Sequence, residues 1–212
     1  MVLFNYDWVD DSSGEILGQT RFDKQMAEED PILFTLKNQV NPFCGLYQKK
    51  SFLEAGGPDL DPEVHQCEDM AMHSKLALAG LRFSVEERDP VTIINYRQYE
   101  SMSRNAGAYV RQVHNLYRLY EKNYQQLQKG QKNNGYDRAI GEKMWVHTRH
   151  AAWVSQWKVV RKAIKLARDC DVTLPPHDSF IFRWLCRVHP FGAVVFREWF
   201  GRIRRKKGVY WY

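Results

Sequence analysis

The chain has 212 residues, of which 44% are hydrophobic and 26% are charged, and its formal net charge is +6. These values are typical of globular domains, and they exclude a disordered chain or a collagen-like polymer. No apolar run approaches the ~18 residues of a membrane-spanning helix. The N-terminus has no basic segment followed by an apolar run, so we expect no signal peptide. The composition predicts a cytoplasmic protein, or one that is peripheral at the inner membrane face.

The positive charge is concentrated at the C-terminal end. Residues 151–212 contain 13 Lys or Arg and 4 Asp or Glu, whereas residues 1–150 contain 18 and 21. This asymmetry favours contact between the tail and an anionic surface, either phospholipid or nucleic acid. Because residues 1–150 are net acidic and no nucleic-acid-binding motif is present, we expect no nucleic-acid partner.

Residues 1–105 alternate between strand-like and helix-like segments. Alternating apolar and polar side chains predict a strand from Val2 to Trp8, and a turn follows at residues 10–14. Further strands are predicted at residues 42–47, 82–86 and 91–96, and helices at residues 49–55 and 68–79. Gly56-Gly57 and Gly80 end these two helices, in the manner of glycine C-caps. The pattern predicts a mixed α/β layer.

Residues 106–212 are expected to be helical, with a boundary near residue 105. Apolar side chains recur every three or four residues over residues 110–127, 140–167 and 179–205, which is the spacing of amphipathic helices. Pro175-Pro176 separates the last two segments. We therefore predict a helical appendage that ends in a basic amphipathic tail.

The tail has two interpretations. Trp and Phe side chains share one face of residues 179–205 and arginines are largely opposed to them, which is typical of a helix lying in a membrane interface. The alternative is that the apolar face packs back onto the domain and the arginines are solvated.

The four cysteines are isolated in the sequence, at Cys44, Cys67, Cys170 and Cys186. No two lie within two to four residues of each other, so no zinc or thioredoxin-like motif is present. A mixed metal site of His65, Cys67 and His73 is conceivable, but we expect the cysteines to be small buried hydrophobic residues.

Glu68 and Asp69 place two carboxylates where a helix is predicted to begin. Acids in a first helical turn are stabilised by the unpaired N–H groups and the helix dipole, which is one explanation for the pair. The other is functional, because a carboxylate that stays ionised at a helix N-terminus can act as a general base. The sequence leaves both open.

The order of these features resembles the C-terminal half of a family 2 glycosyltransferase, an inverting enzyme of the A-type fold. Residues 1–105 carry Cys44-Gly45, a helix, Gly56-Gly57 and then Glu68-Asp69. The pair opens an E-D-x-x-x-x-x-K/R-L-x-x-x-G helix, which ends at Gly80. Further along come Tyr96-Arg97 and Ser101-Met102-Ser103, where the family often has Y-R-x-H and S-M-S.

The resemblance implies a role for each matched residue. Asp69 would be the general base for an acceptor hydroxyl, and Glu68 would orient the acceptor or Asp69. Cys44 and Gly45 would lie along the acceptor pocket, where a glycine lets substrate approach the backbone. Arg97, Ser101 and Ser103 would lie near the diphosphate or its covering loop.

The family's nucleotide-binding half and its Asp-x-Asp metal motif are not recognised in this sequence. Val2 to Gly18 resembles the stretch that follows this motif, so we expect the chain to hold the acceptor-side half only. Asp59-Leu60-Asp61 has the right spacing but lies in a predicted turn. Tyr99 replaces the histidine of Y-R-x-H, and a tyrosine is a poor ligand for Mg²⁺ or Mn²⁺. A divalent metal (Mg or Mn) is expected for the complete enzyme, and no ligand is assigned in this chain.

The expected fold is therefore α/β: a partial nucleotide-sugar transferase A-type fold (a mixed sheet with flanking helices), followed by the helical appendage. The expected activity is transfer of a sugar from a nucleotide-sugar donor to a carbohydrate or lipid-linked acceptor with inversion, in polysaccharide or glycolipid synthesis. The alternative is a non-catalytic basic helical module that binds anionic lipid or nucleic acid.

Overall fold

The computed structural model describes residues 1–41, 44–95, 106–130 and 133–206. The chain divides into two compact units, Met1–Ala108 and Tyr109–Tyr212. This division falls close to the boundary expected near residue 105. The fold is mixed α/β, with a small mixed sheet and flanking helices.

The first unit contains the sheet. Its strands are β1 (Val2–Asp10), β2 (Ile16–Thr20), β3 (Gly45–Leu46) and β4 (Ser84–Asn95). Its helices are α1 (Lys24–Glu29), α2 (Pro31–Lys37), α3 (Lys49–Glu54) and α4 (Glu68–Leu78), together with a 3₁₀ helix, Pro62–Cys67.

Strand β1 organises the sheet. On one edge it pairs in parallel with β4 along its whole length, from Val2–Ser84 to Asp10–Asn95. On the other edge it pairs antiparallel with β3 near its start and with β2 near its end. The parallel pair brings the carboxyl ends of β1 and β4 to the same end of the sheet.

Aromatic rings fill the core between the sheet and its helices. Tyr6, Phe22, Phe34 and Phe83 are buried, and successive members of this series meet edge to face at centroid distances of 5.6–6.3 Å. This geometry suits the ring quadrupoles. The core fixes β1 against α2, and so supports the sheet that carries the candidate site.

Two features of the first unit differ from the sequence-based expectation. The predicted strands 82–86 and 91–96 form one strand, β4, whose register with β1 shifts between Phe4 and Tyr6. Extra residues around Pro90 are accommodated as an irregularity in β4, after which pairing to the same neighbour resumes. Helices α1 and α2 were not predicted, and each begins after an aspartate whose side chain accepts a backbone hydrogen bond, Asp23 and Asp30 respectively.

The second unit is helical. Its elements are α5 (Ala106–Gly130, which begins just before the division), α6 (Asn134–Trp153), α7 (Trp157–Asp169), α8 (Phe180–Val188) and α9 (Pro190–Lys206). The predicted segment 140–167 is two helices, because Ser155 takes a left-handed conformation (φ 61°) that ends α6. The segment 179–205 is also divided, since Pro190 cannot continue α8.

The centre of the second unit is mostly apolar, and its buried polar side chains include Asn123, His147 and Thr148. Met144, Trp145, Val160 and Ala163 are fully or almost fully buried. His147 is buried among the core residues, and its Nε2 contacts the backbone carbonyl of Val113 at 2.8 Å. Among the described helices, none is both long and apolar enough to cross a bilayer.

Candidate functional site

Helix α4 begins at Glu68. The 3₁₀ helix runs directly into α4, and its N-cap Asp61 accepts a hydrogen bond from the Glu63 N–H at 2.9 Å. Glu68 is exposed, whereas Asp69 is partly buried. Adjacent carboxylates at one helix end therefore have different surroundings.

Asp69 is the partly buried member of the Glu68-Asp69 pair. Among the described residues it has no hydrogen-bond or ion-pair partner. Burial, and then the neighbouring Glu68 carboxylate, raise its pKa above the usual value. An acid that only complements the helix dipole does not need such burial. A desolvated carboxylate without a partner is a stronger proton acceptor than an exposed one, as a general base requires.

His73 lies one turn after Asp69 in α4 and is fully buried. Its Nδ1 contacts the Asp69 backbone carbonyl at 2.7 Å, and its Nε2 contacts the Tyr47 hydroxyl at 2.7 Å. A carbonyl only accepts, so Nδ1 carries the hydrogen and Nε2 accepts from Tyr47. Burial lowers the pKa of His73 to about 4, which keeps the imidazole neutral at pH 7.

Tyr47 connects the two predicted parts of the site. It follows β3, and its hydroxyl bonds to the first turns of α4 through His73. Burial, followed by the charges of Asp69 and Cys44, raises the pKa of the phenol to about 12. The hydroxyl therefore remains a donor at neutral pH. Cys44-Gly45 and Asp69, which the sequence analysis assigned to one acceptor site, both lie near this ring. The sequence analysis did not identify Tyr47 itself.

Position 45 has no room for a Cβ atom because the Tyr47 ring lies against it. A Cβ at position 45 would lie 2.5 Å from the Tyr47 Oη and 2.6 Å from Cζ. The sequence analysis attributed this glycine to the approach of substrate, whereas in the structure the tyrosine ring occupies the space.

Cys44 is a buried thiol rather than a nucleophile. It is fully inaccessible, and burial raises its pKa to about 12. Cys67 is also buried, with a pKa raised to about 12 by burial and then by Glu68 and Asp69. All four cysteines are free and buried, which confirms the expectation of small hydrophobic residues.

The glycines and the lysine of the α4 motif have structural roles. Gly56 and Gly57 both adopt positive φ, at 88° and 61°. The Lys75 ammonium donates to the carbonyls of Gly56, at 2.7 Å, and Pro58, at 3.3 Å, and so fastens this turn to α4. Gly80 ends α4 with φ of 81°. These residues shape the ends of α4 and the turn beside it, whereas the Glu68 and Asp69 carboxylates make no such contact among the described residues.

The remaining residues singled out from the sequence fall into two groups. Arg97, Ser101 and Ser103 lie outside the described residues. Asp59 and Asp61 lie in the loop before the 3₁₀ helix, where the Asp61 N–H donates to the Asp59 carboxylate at 3.1 Å.

The described residues contain no cluster of metal-ligating side chains. In the described ranges, no three His, Cys, Asp or Glu side chains are grouped as metal ligands. His73, one member of the conceivable mixed site, has both ring nitrogens in hydrogen bonds. The described part of the chain therefore offers no ligand set for a Mg²⁺ or Mn²⁺ ion.

A cleft of about 510 Å³ opens beside β1. Its walls combine aromatic, amide and ammonium groups: Tyr6, Trp8, Thr20, Phe22, Lys37, Asn38, Gln39 and Asn41. The Asn41 carbonyl accepts a hydrogen bond from the Cys44 N–H at 3.1 Å, which ties this wall to the Cys44-Gly45 segment. The volume suits a small ligand, and neighbouring amides supply donors and acceptors for hydroxyl groups. No sequence motif marked this cleft.

The chain was compared with protein-family models, curated proteins and solved structures, and no significant match was found in any of the three.

Proposed function

We propose that this chain is the acceptor-side part of an inverting family 2 glycosyltransferase in which Asp69 is the general base. The ordered sequence features from Cys44-Gly45 to Gly80 support this assignment. The observation that carries it is the state of Asp69, which is partly buried and unpaired among the described residues, with a raised pKa.

In the proposed reaction, an Asp69 carboxylate oxygen takes the proton of an acceptor hydroxyl. The hydroxyl oxygen then forms a bond to the anomeric carbon of the donor sugar. The bond from that carbon to the diphosphate breaks, and the nucleoside diphosphate leaves with the electron pair from the opposite face. Glu68, the exposed neighbour, orients the acceptor.

Tyr47 and His73 are positioning residues in this scheme. The Tyr47 hydroxyl, the His73 ring and the Asp69 carbonyl form a continuous hydrogen-bonded chain. This chain fixes the backbone that carries the base. Because His73 is neutral and already bonded at both nitrogens, it does not compete with Asp69 for the acceptor proton.

The acceptor is a carbohydrate or a lipid-linked sugar, and the cleft beside β1 supports this choice. Trp8 offers an aromatic surface and Gln39 an amide group. The amide NH2 groups of Asn38 and Asn41 each donate one hydrogen bond within the protein, to the Phe34 carbonyl and the Tyr6 hydroxyl, and each has a second N–H. A hydroxyl-rich ligand needs both donors and acceptors, which amides provide.

The donor side is proposed from the resemblance alone. Arg97, Ser101 and Ser103 are assigned to the diphosphate or its covering loop. Because the described residues do not fit a divalent metal, no metal-dependent step is assigned to them.

The test is sugar transfer from a panel of labelled nucleotide sugars to oligosaccharide and lipid-linked acceptors. The chain is assayed alone and together with any polypeptide encoded immediately upstream. Asp69→Asn should reduce transfer by at least ~100-fold, the size expected for loss of a general base, while the circular dichroism spectrum is retained. Asp11→Asn removes an exposed carboxylate in the turn after β1, and serves as the matched control.

The pH dependence provides a second readout. Since the raised pKa belongs to the group that must be ionised, the rate should fall as pH decreases through the pKa of Asp69. Transfer by Asp69→Asn at near the original rate would refute the base assignment. No transfer by the unmodified chain under any of these conditions would refute the glycosyltransferase proposal.

A further inference from the structure

The last two helices expose large apolar side chains. Phe180, Ile181, Trp184 and Val188 of α8 are 83%, 71%, 55% and 71% exposed. Phe196, Trp199 and Phe200 of α9 are 56%, 57% and 42% exposed. We call these seven residues the aromatic surface. Single exposed apolar residues are ordinary, but a group of this size on consecutive helices marks an interaction site.

Helix α8 separates its two faces clearly. Positions 180, 181, 184 and 188 fall within about one third of the helix circumference, since each residue advances by 100°. Phe182 and Cys186 point the other way and are buried. The arginines Arg183 and Arg187 flank the exposed apolar face, and both are exposed.

Helix α9 also combines buried and exposed apolar side chains. Its core side chains are Ala193 and Val194, which are buried. The ring centroids of Phe196 and Phe200 are stacked at 6.2 Å, and Arg204 lies 4.4 Å over the Phe200 ring. The cation is thus placed directly beside exposed aromatic rings.

Other arginines hold the helices in place. Arg197 of α9 pairs with Asp178 and lies 4.5 Å over the Phe182 ring of α8. Arg202 contacts the carbonyls of Ala152 and Trp153, both at 3.2 Å, at the end of α6. The helices are therefore anchored through their other faces. The seven residues of the aromatic surface are not covered by the other helices of the second unit.

We infer that the aromatic surface binds the interface of an anionic phospholipid bilayer, with α8 and α9 lying on it rather than crossing it. Residues 180–206 contain seven Arg or Lys and one acid, Glu198. This charge is complementary to an anionic headgroup layer. Trp and Phe prefer the boundary between headgroups and acyl chains, and arginines beside them remain with the headgroups. This inference does not depend on the proposed transferase activity.

The test is co-sedimentation of the full chain with vesicles of phosphatidylcholine alone, or containing about 30% phosphatidylserine, a composition that gives a negative surface potential. Binding is expected with the anionic vesicles and should weaken as salt is raised. Phe180→Ser/Trp184→Ser should weaken binding by at least about tenfold, because two large apolar side chains no longer enter the interface.

Matched control variants remove the same kinds of side chain from the first unit, to show whether their location on α8 matters. Leu53→Ser/Leu60→Ser removes two exposed leucines of the first unit, which are 58% and 86% exposed, and should leave binding unchanged. Arg183→Gln/Arg187→Gln should weaken binding to anionic vesicles by about fivefold for each arginine. Lys49→Gln/Lys50→Gln removes the same charge from α3 and should have little effect.

Three results would overturn the inference. One is that the chain sediments equally with phosphatidylcholine vesicles and with vesicles that also contain phosphatidylserine. Another is unchanged vesicle binding by Phe180→Ser/Trp184→Ser in protein whose circular dichroism is normal. The third is a concentration-dependent dimer, seen by light scattering, that this variant abolishes while vesicle binding is absent, because the surface would then serve a second copy of the chain.

Discussion

The Tyr47 hydroxyl lies 2.7 Å from the Nε2 atom of His73 and donates to it. Through the other ring nitrogen this contact reaches the backbone of Asp69. Tyr47, just after β3, thereby holds the first turn of α4, which begins more than twenty positions later in the chain. The pair links the proposed acceptor segment to the proposed base, and its loss should affect both stability and transfer.

Tyr47→Phe should lower the free energy of unfolding by about 1–3 kcal/mol, because it leaves the buried His73 Nε2 without a donor. Urea unfolding followed by circular dichroism measures this change. In a transfer assay, the variant should have a lower kcat. The apparent pKa of Asp69 in the pH–rate profile should change by no more than about a few tenths of a pH unit. A variant as stable as the original chain would show that the hydrogen bond contributes nothing to folding.

Gly45→Ala should also destabilise the chain, by about 1–3 kcal/mol, the cost typical of overpacking. The new Cβ would lie 2.5 Å from the Tyr47 Oη. Gly18→Ala is the matched control, since a Cβ at that strand position has only an ordinary contact, 3.9 Å from Trp8. In a Tyr47→Ala background the cost of Gly45→Ala should fall, and an equal cost in both backgrounds would contradict the clash.

The sequence predicted the glycine turns that bound α3 and α4, but it did not predict the contact between Tyr47 and His73. Gly56-Gly57 and Gly80 require positive φ, so local chemistry marks where helices end. Tyr47 and His73 carried no such local signal, because their pairing depends on how β3 and α4 meet in space. The same limit explains the tail: periodicity identified the apolar faces of α8 and α9, but only the packing of Arg197 and Arg202 showed which sides face inward.

Lys75→Met should loosen the Gly56-Gly57 turn while retaining α4. The ammonium donates to two carbonyls of this turn, and a methionine of similar length donates to neither. Cleavage by a low concentration of protease within residues 56–61 should become several-fold faster, as expected when local opening is easier. Lys49→Met, on the neighbouring helix α3, is the control. Equal cleavage rates for the two variants would show that Lys75 does not secure the turn.

Stability should fall as pH decreases from about 6.5 toward 4. Burial lowers the pKa of His73 and of His147 to about 4 in the folded chain, whereas an unfolded histidine has a pKa near 6.5. Between these values the unfolded state binds more protons. Each histidine therefore lowers the free energy of unfolding by up to about 1.4 kcal/mol per pH unit, and the full contribution is present above pH 6.5.

His147→Leu should reduce this dependence on pH in the second unit. Among the described residues its Nδ1 has no hydrogen-bond partner, so protonation there would bury a charge that these residues do not offset. Removing the imidazole should decrease the slope of unfolding free energy against pH by up to about 1.4 kcal/mol per unit between pH 6.5 and 4. Thr148→Val is the matched control: it removes a buried hydroxyl that bonds to the Trp145 carbonyl but does not titrate. It should lower stability equally at every pH. Urea unfolding at several pH values measures both variants, and an unchanged slope for His147→Leu would show that His147 is not among the groups that take up protons on unfolding.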